Sequence, residues 1–300
     1  MPEKNGSITI GVVASDHIAV GLVEGHQVRG TVHIIEGLPS MPADSIAPAI
    51  YDEMVRVSAE AGIDVNSVQA VGVGFPGIVR NGVVQESPNI QQAKGLDLAE
   101  SMSCVLSRVN SKAPVLVLND ADAMAAGVAA SQGSLEKLTR VWTLGNGIGF
   151  GRFPRVQGAW ECGHMVITID PKEQFCGCGG AGHLEGIMGY RAMRLRFLDM
   201  EPEEVFAGAR LGDPKTSAFV KMWHRALAAA TANLIHQDAP GKFYITGPNS
   251  IYVETALLNQ YLHEMVKMTP LQGSVFEVIP TSDEIAVVGA AISAHLAAGA

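Results

Sequence analysis

Hydrophobic and polar positions along the chain alternate between short apolar runs and longer helical stripes. Residues 7–13 and 17–23 are rich in Val, Ile and Thr, and Ala14-Ser15-Asp16 between them is short enough to turn the chain. Two paired strands are predicted there, with more strand near 28–35. Over 44–61, Ile46, Ile50, Met54 and Val57 fall on one helical face, and Gly62 is placed to end that helix. Residues 68–74 read as a buried strand that runs into the turn Phe75-Pro76-Gly77. The turn Ser87-Pro88-Asn89-Ile90 follows, and then a helix from about Leu98. A second short apolar strand, 115–118, ends in Asn119-Asp120-Ala121-Asp122, where an alanine-rich helix starts.

The second half repeats the style. Residues 141–144 lead into Gly145-Asn146-Gly147-Ile148-Gly149-Phe150-Gly151, and strand is predicted again at 165–169. Helices are expected over 184–197 and 217–236. In the latter, Phe219, Trp223, Leu227 and Leu234 form a core stripe. Residues 243–246 are a strand ending in Gly247, and an alanine-rich helix spans 285–298. Strands followed by helices, twice over, predict two α/β lobes with a central cleft. In open α/β folds ligands sit beyond the carboxyl ends of strands, which draws attention to the turn at Asp120.

Composition narrows the class. Three hundred residues, about half of them apolar, suit a soluble two-domain enzyme. A net charge of −9 argues against nucleic acid as a partner, since phosphate neutralisation needs a basic surface. Four cysteines are too few for a disulfide scaffold in a chain of this length, so a cytoplasmic protein is expected. The start, M-P-E-K-N-G, lacks the apolar stretch of a signal peptide, and no window reads as a membrane span.

The densest chemistry lies between Glu161 and Glu185. His164, Cys176, Cys178 and His183 offer two imidazoles and two thiols in a glycine-rich loop. A tetrahedral zinc ion takes four such ligands at about 2.0–2.3 Å. The other reading is a turn that happens to hold cysteines. A disulfide between residues two apart is strained. Glu161 and Glu185 at the edges of the stretch suit a polyhydroxylated ligand, whose hydroxyls donate strongly to carboxylates. Equally, they are ordinary solvated glutamates. Asp120 is placed either to act as a general base or to cap a helix. Asp122, two residues on, points elsewhere and reads as structural. Asn89 follows Pro88 in what is also ordinary turn chemistry. The alternating glycines at 145, 147, 149 and 151 would strip side chains from one face of a hairpin, so that phosphate oxygens can reach backbone N–H groups. A loose glycine-rich turn is the plainer account.

The Glu161–Glu185 block resembles the signature of the ROK family, bacterial sugar kinases and repressors. That signature runs G-E-x-G-H, then C-x-C-G-x-x-G-C-x-E. Glu161, Gly163 and His164 match the first part, and Cys176, Cys178, Gly179, Gly182 and Glu185 the second. His183 stands where the family has its last cysteine, and histidine is a competent zinc ligand. The resemblance implies an actin-like (ribonuclease H-like) ATPase fold. It implies an N-terminal lobe of residues 1–122 plus 287–300, and a C-terminal lobe of 123–286 with the zinc loop. It also implies Asp120 as catalytic base, in an N-D-A-D run that fits the family's N-D-A-[ND], and sugar contacts from Asn89, Asn119, Asp120, Glu161, His164 and Glu185. Zinc would be structural, held by His164, Cys176, Cys178 and His183, with His164 offering its second ring nitrogen to the sugar. T-L-G-N-G-I-G-F-G resembles the family's second phosphate loop. Nucleotide contacts are therefore expected at Gly145, Asn146, Gly147 and Gly247, with Mg-ATP as donor, and a homodimer or homotetramer as the assembly.

Two motifs depart from that pattern. The family's first phosphate loop, D-x-G-G-T, aligns with Val12, Ala14, Ser15 and Asp16, so the aspartate and the glycines are absent. Asp16 would bring a like charge towards phosphate, at about 4 kcal/mol for a 4 Å approach in an effective dielectric near 20. Thr246-Gly247-Pro248-Asn249 replaces a Gly-Gly pair, while Gly289-Ala290-Ala291 keeps the family's closing G-A-A. The expected activity is ATP-dependent phosphorylation of a hexose or N-acetylhexosamine. The alternatives are a sugar-binding protein without kinase activity and a kinase using another phosphoryl donor. A strand expected within ten residues of Met1 argues against a DNA-binding repressor, since the family's repressors carry an N-terminal helix-turn-helix.

Overall fold

The computed structural model describes residues 6–156 and 161–299. The chain start read above as lacking a signal peptide lies largely outside them. By internal contacts the chain divides into two units. The first comprises Met1–Thr139, Gly151–Ala159 and Ser282–Ala300, and the second Arg140–Phe150 and Trp160–Thr281.

In the first unit, β1 (Ile8–Ala14) and β2 (Ile18–Glu24) form the expected hairpin, with Ile10 opposite Leu22 and Val12 opposite Val20. The strand expected near 28–35 is two short pieces, β3 (Gln27–Val28) and β4 (His33–Ile35), separated at Gly30, whose φ is 89°. Helix α1 (Ala43–Glu60) buries Ile46, Ile50, Met54 and Val57, the predicted face. After β5 (Val71–Phe75), a small hairpin of β6 (Ile78–Arg80) and β7 (Val83–Glu86) leads to α2 (Leu98–Ser107). Then β8 (Val115–Asn119) passes directly into α3 (Asp120–Ser131). The main sheet has the order β3-β2-β1-β5-β8, with β4 also on β2. The β1–β5 and β5–β8 pairs are parallel. Strands covered on both faces read as unbroken apolar runs, and Ile10, Val12, Val71 and Val73 are fully buried.

The second unit is built on a sheet of order β10-β9-β11-β12, where β9 is Thr139–Leu144 and β10 is Ile148–Phe153. The helix expected over 184–197 is two, α4 (Leu184–Met188) and α5 (Tyr190–Arg196), broken at Gly189. The break has a local cause. The Tyr190 amide donates to the Gly145 carbonyl at 3.0 Å, and a Cβ on Gly189 would stand 2.8 Å from the Asn146 carbonyl oxygen. Helix α6 (Pro202–Arg210) precedes α7 (Pro214–Gln237), which buries Phe219, Trp223, Leu227 and Leu234 as expected. β11 (Lys242–Thr246), α8 (Thr255–Met265) and β12 (Val275–Val278) complete the unit, with β11 parallel to both β9 and β12. Residues 165–169 are not a strand. Only an isolated bridge, Val166 to His183, forms there, because the neighbouring segment is itself loop, and Ile169 is almost fully exposed.

Helix α9 (Asp283–Ala298) belongs to the first unit, where it packs on β1, β5 and α3. The α3–α9 crossing is backbone against backbone. A Cβ on Gly289 would lie 1.8 Å from the Ala123 carbonyl oxygen, and one on Gly127 1.8 Å from that of Ile285. Two facing glycines are what permit so close a crossing.

Candidate functional site

The loop between Cys162 and Leu184 gathers the four expected metal ligands, all in the second unit. A single helical turn, Cys162–His164, presents His164, and His183 sits at the start of α4. Their ligand atoms all lie within 4.8 Å of one another. Cys176 Sγ is 3.4 Å from His164 Nδ1 and 3.4 Å from Cys178 Sγ, while His183 Nδ1 is 3.3 Å from Cys178 Sγ and 3.3 Å from His164 Nδ1. A tetrahedron with arms of about 2.0–2.3 Å has edges of roughly 3.3–3.8 Å. The spacing therefore fits one ion, with both histidines turned to it through Nδ1. Burial pushes the Cys176 thiol up to about 12; the Cys178 backbone amide opposes the rise, and the Cys178 thiol and Glu185 add to it. A bound dication offsets that penalty by stabilising the thiolate. Burial, and then the nearby His164, lower the pKa of His183, which favours the neutral, ligand-competent imidazole.

Beyond the four ligands the loop is held by its own contacts. Arg196, on α5, forms a two-pronged ion pair with Glu173 and lies 4.2 Å over the Phe175 ring. With Nδ1 directed inward, His164 Nε2 faces Glu161, whose Oε2 is 3.9 Å away. The Glu161 side chain keeps 40 % of its surface, yet protein around the carboxyl desolvates it and raises its pKa above the usual carboxylate range.

Glu185 has two partners. Its Oε1 lies 3.5 Å from Cys176 Sγ, and its Oε2 accepts from the Ile148 amide at 3.1 Å. The same oxygen would be 2.6 Å from a Cβ on Gly147. One carboxylate thus ties the metal loop to the turn Gly145-Asn146-Gly147. That turn is closed by Gly145 N donating to Gly147 O at 3.0 Å. Asn249, almost wholly buried, donates from Nδ2 to the Gly145 carbonyl at 2.9 Å, and Pro248 packs beside Gly145. The segment that replaces a glycine pair is therefore a latch on the glycine turn. The sequence reading missed Asn249. Its signal was a polar residue directly after Gly-Pro at a strand end. Gly247, with φ 98°, brings its backbone against Leu144. Gly151 does not extend the stripped face expected of it. A Cβ there would meet the Ala121 carbonyl oxygen at 1.7 Å, so it serves the packing of α3.

Asn89, Asn119 and Asp120 lie in the first unit. Asn89 occupies an exposed turn. Asn119, rather than Asp120, caps α3: its Oδ1 accepts from the Ala121 and Asp122 amides at 2.8 and 3.4 Å, and its Nδ2 donates to the Gly77 carbonyl at 2.9 Å. Asp120 is the first helical residue and half-buried. Asp122 is structural, accepting from the Arg152 amide at 3.0 Å. In the first hairpin Val12 is fully buried between Val20 and Val73. His17 Nε2 meets Asp283 Oδ2 at 3.0 Å, joining that hairpin to the start of α9.

The ROK family profile matches residues 6–296. The chain belongs to the ROK family. Among ROK relatives, a glucokinase of Pyrobaculum calidifontis is 30 % identical over 244 residues, 75 % of this chain and 78 % of that protein. Among ROK structures, the hexokinase from Thermus thermophilus superposes with a TM-score of 0.79 over 97 % of this chain and 99 % of that one, at 24 % identity. A ROK glucokinase from Streptomyces griseus, solved in complex with glucose and AMPPNP, gives 0.68 over 96 % and 99 %, at 25 % identity. The fold is the actin-like, ribonuclease H-like α/β fold; these three ROK relatives are sugar kinases, and a ROK transcriptional regulator superposes with a TM-score of 0.74 over 96 % of this chain and 78 % of that one, at 21 % identity.

Proposed function

We propose that this protein transfers the γ-phosphoryl group of ATP to a hydroxyl of a hexose or N-acetylhexosamine, as a glucokinase-like kinase. The observation that carries this reading is the double attachment of Glu185. It joins the loop of Glu161 and His164, read here as the partners of sugar hydroxyls, to the backbone turn at Gly145–Gly147. Similarity to a glucokinase over three quarters of the chain supports it.

In this mechanism Glu161, His164 and Glu185, with Asn89 and Asn119, orient the sugar through its hydroxyls. Asp120 accepts the proton of the attacking hydroxyl as the new P–O bond forms. The Gly145-Asn146-Gly147 turn and Gly247 lie along the donor phosphates in this reading; the Gly145 and Gly247 amides donate within the protein, to Gly147 O and Thr281 Oγ1 at 3.0 Å each, and hold that backbone in place. Magnesium, when bound with ATP, neutralises charge on the transferred group. Zinc would be held by His164, Cys176, Cys178 and His183; with four protein ligands it would brace the loop and supply no chemistry to the transfer itself.

Val12 favours a second reading, sugar binding without phosphoryl transfer. It is fully buried where the family's first phosphate loop carries a carboxylate. A coupled ADP-release assay over a panel of hexoses and N-acetylhexosamines, with calorimetry for AMPPNP and for each sugar, separates the two. Turnover on at least one sugar supports the kinase. Sugar binding with neither turnover nor nucleotide binding selects the second reading.

A further inference from the structure

The fourth ligand position carries the departure from the C-x-C-G-x-x-G-C-x-E run, and the structure shows what that departure requires. A cysteine ends at its ligating sulfur. An imidazole that ligates through Nδ1 carries the rest of its ring alongside, and His183 directs Nδ1 at the cluster, 3.3 Å from both Cys178 Sγ and His164 Nδ1. The ring therefore needs room, and the loop supplies it at Gly180. A Cβ built there stands 2.1 Å from Cε1, 2.5 Å from Nε2 and 2.9 Å from Nδ1 of His183, within the body of the ring.

Two facts separate this glycine from an ordinary turn glycine. Gly180 does not have a positive φ, so its backbone accepts an L side chain, and the three atoms nearest an added Cβ all belong to the His183 ring. It also occupies one of the two unspecified places between Gly179 and Gly182 of the family run. Nor can the ring swing aside freely. The His183 backbone is held by its bridge to Val166 and by the Leu184 amide bond to Met165 O at 3.0 Å, so a rotated ring leaves the ligand cluster.

We propose that Gly180 is the positioning residue that makes His183 a metal ligand, the two acting as one unit that specifies a two-thiol, two-imidazole centre. The inference rests on the reading that the His164–Cys176–Cys178–His183 cluster holds zinc. Its charge logic is simple: two thiolates balance a dication, and a third would leave the centre anionic.

The test uses the full chain as wild type, Gly180→Ala, His183→Cys and the double variant Gly180→Ala/His183→Cys. Each is stripped and titrated with zinc against a chromophoric chelator, then with cobalt(II) for its absorption spectrum. Gly180→Ala is expected to bind zinc about 10–100-fold more weakly than wild type, with its circular dichroism unchanged. The double variant is expected to regain the affinity of His183→Cys, with a stronger sulfur-to-cobalt charge-transfer band from the third thiolate. Rescue is readable even if the single glycine variant folds poorly. Zinc binding by Gly180→Ala within about twofold of wild type, or a double variant no tighter than Gly180→Ala, overturns the proposal. Failure of the wild type itself to bind either metal removes the zinc reading as well, and so separates the two claims.

Discussion

Asn119 satisfies the first amides of α3, and that relieves Asp120 of capping. Sequence alone allowed both roles for Asp120; the difference lies in which of two adjacent side chains turns back on the helix, and residue order does not encode that. Replacing Asp120 by Asn should leave sugar affinity within a few-fold, while kcat falls by about 10²–10⁴, the usual contribution of a positioned base. Equal loss in sugar binding and turnover would argue against the role. The convergence of His164, Cys176, Cys178 and His183 was legible because thiols and imidazoles so close in sequence have few other uses. The work of Asn249 was hidden. Only the folded chain brings it to the Gly145 carbonyl, 104 residues away. Asn249→Ala removes a buried hydrogen bond of about 1–3 kcal/mol. A selective rise in KM for ATP, on the order of tenfold, with the sugar KM unchanged, is the expected kinetic signature.

Among the elements, α7 was readable from its stripe, since four large apolar residues at helical spacing have one way to be buried together. The break between α4 and α5 was not, because it answers to the Asn146 carbonyl rather than to local propensity. The α3–α9 crossing was also illegible: Gly127 and Gly289 look like ordinary glycines until the partner backbone is in view. Gly289→Ala should destabilise the first unit by about 1–3 kcal/mol or more through overpacking, measured as a lower denaturation midpoint. A second element-level contact gives a pH signature. His33, on β4, bridges two carboxylates of α1, Glu53 through Nδ1 at 2.7 Å and Glu60 through Nε2 at 2.9 Å, while Arg56 also pairs with Glu53. The Glu53 hydrogen bond, opposed by desolvation and helped by Glu60, raises the His33 pKa above its ordinary value. The folded state thus holds this proton more tightly than the unfolded one. The stabilisation is complete below about pH 6.5 and is lost as pH rises through the raised folded value. Urea midpoints measured across that range should fall for the wild type, and His33→Gln should flatten the slope.

At the scale of the molecule, the fold class followed from the alternation of strands and helices, whereas the division of the chain depends on tertiary contacts. The first unit recruits residues 151–156 and the whole of α9. No helix among the described residues is long and apolar enough to cross a membrane. The metal cluster lies wholly in the second unit. Zinc at about 100 times its Kd would therefore stabilise that unit by about 2.7 kcal/mol by mass action. Chelation should lower its thermal transition and release amide protection first over residues 161–186, both reversed by added zinc. An unchanged melt and exchange pattern would show that the loop stands without the ion.

The place of α9 also bears on how the protein is made. A ribosome delivers β1 and β5 early, but the helix that covers them emerges more than 200 residues later, from Asp283 onward. Until then the part of that nascent sheet that α9 covers stays exposed. The second unit lies between Arg140 and Thr281, so its elements are all made before α9 completes the first unit, and it should reach a protease-resistant state first during synthesis.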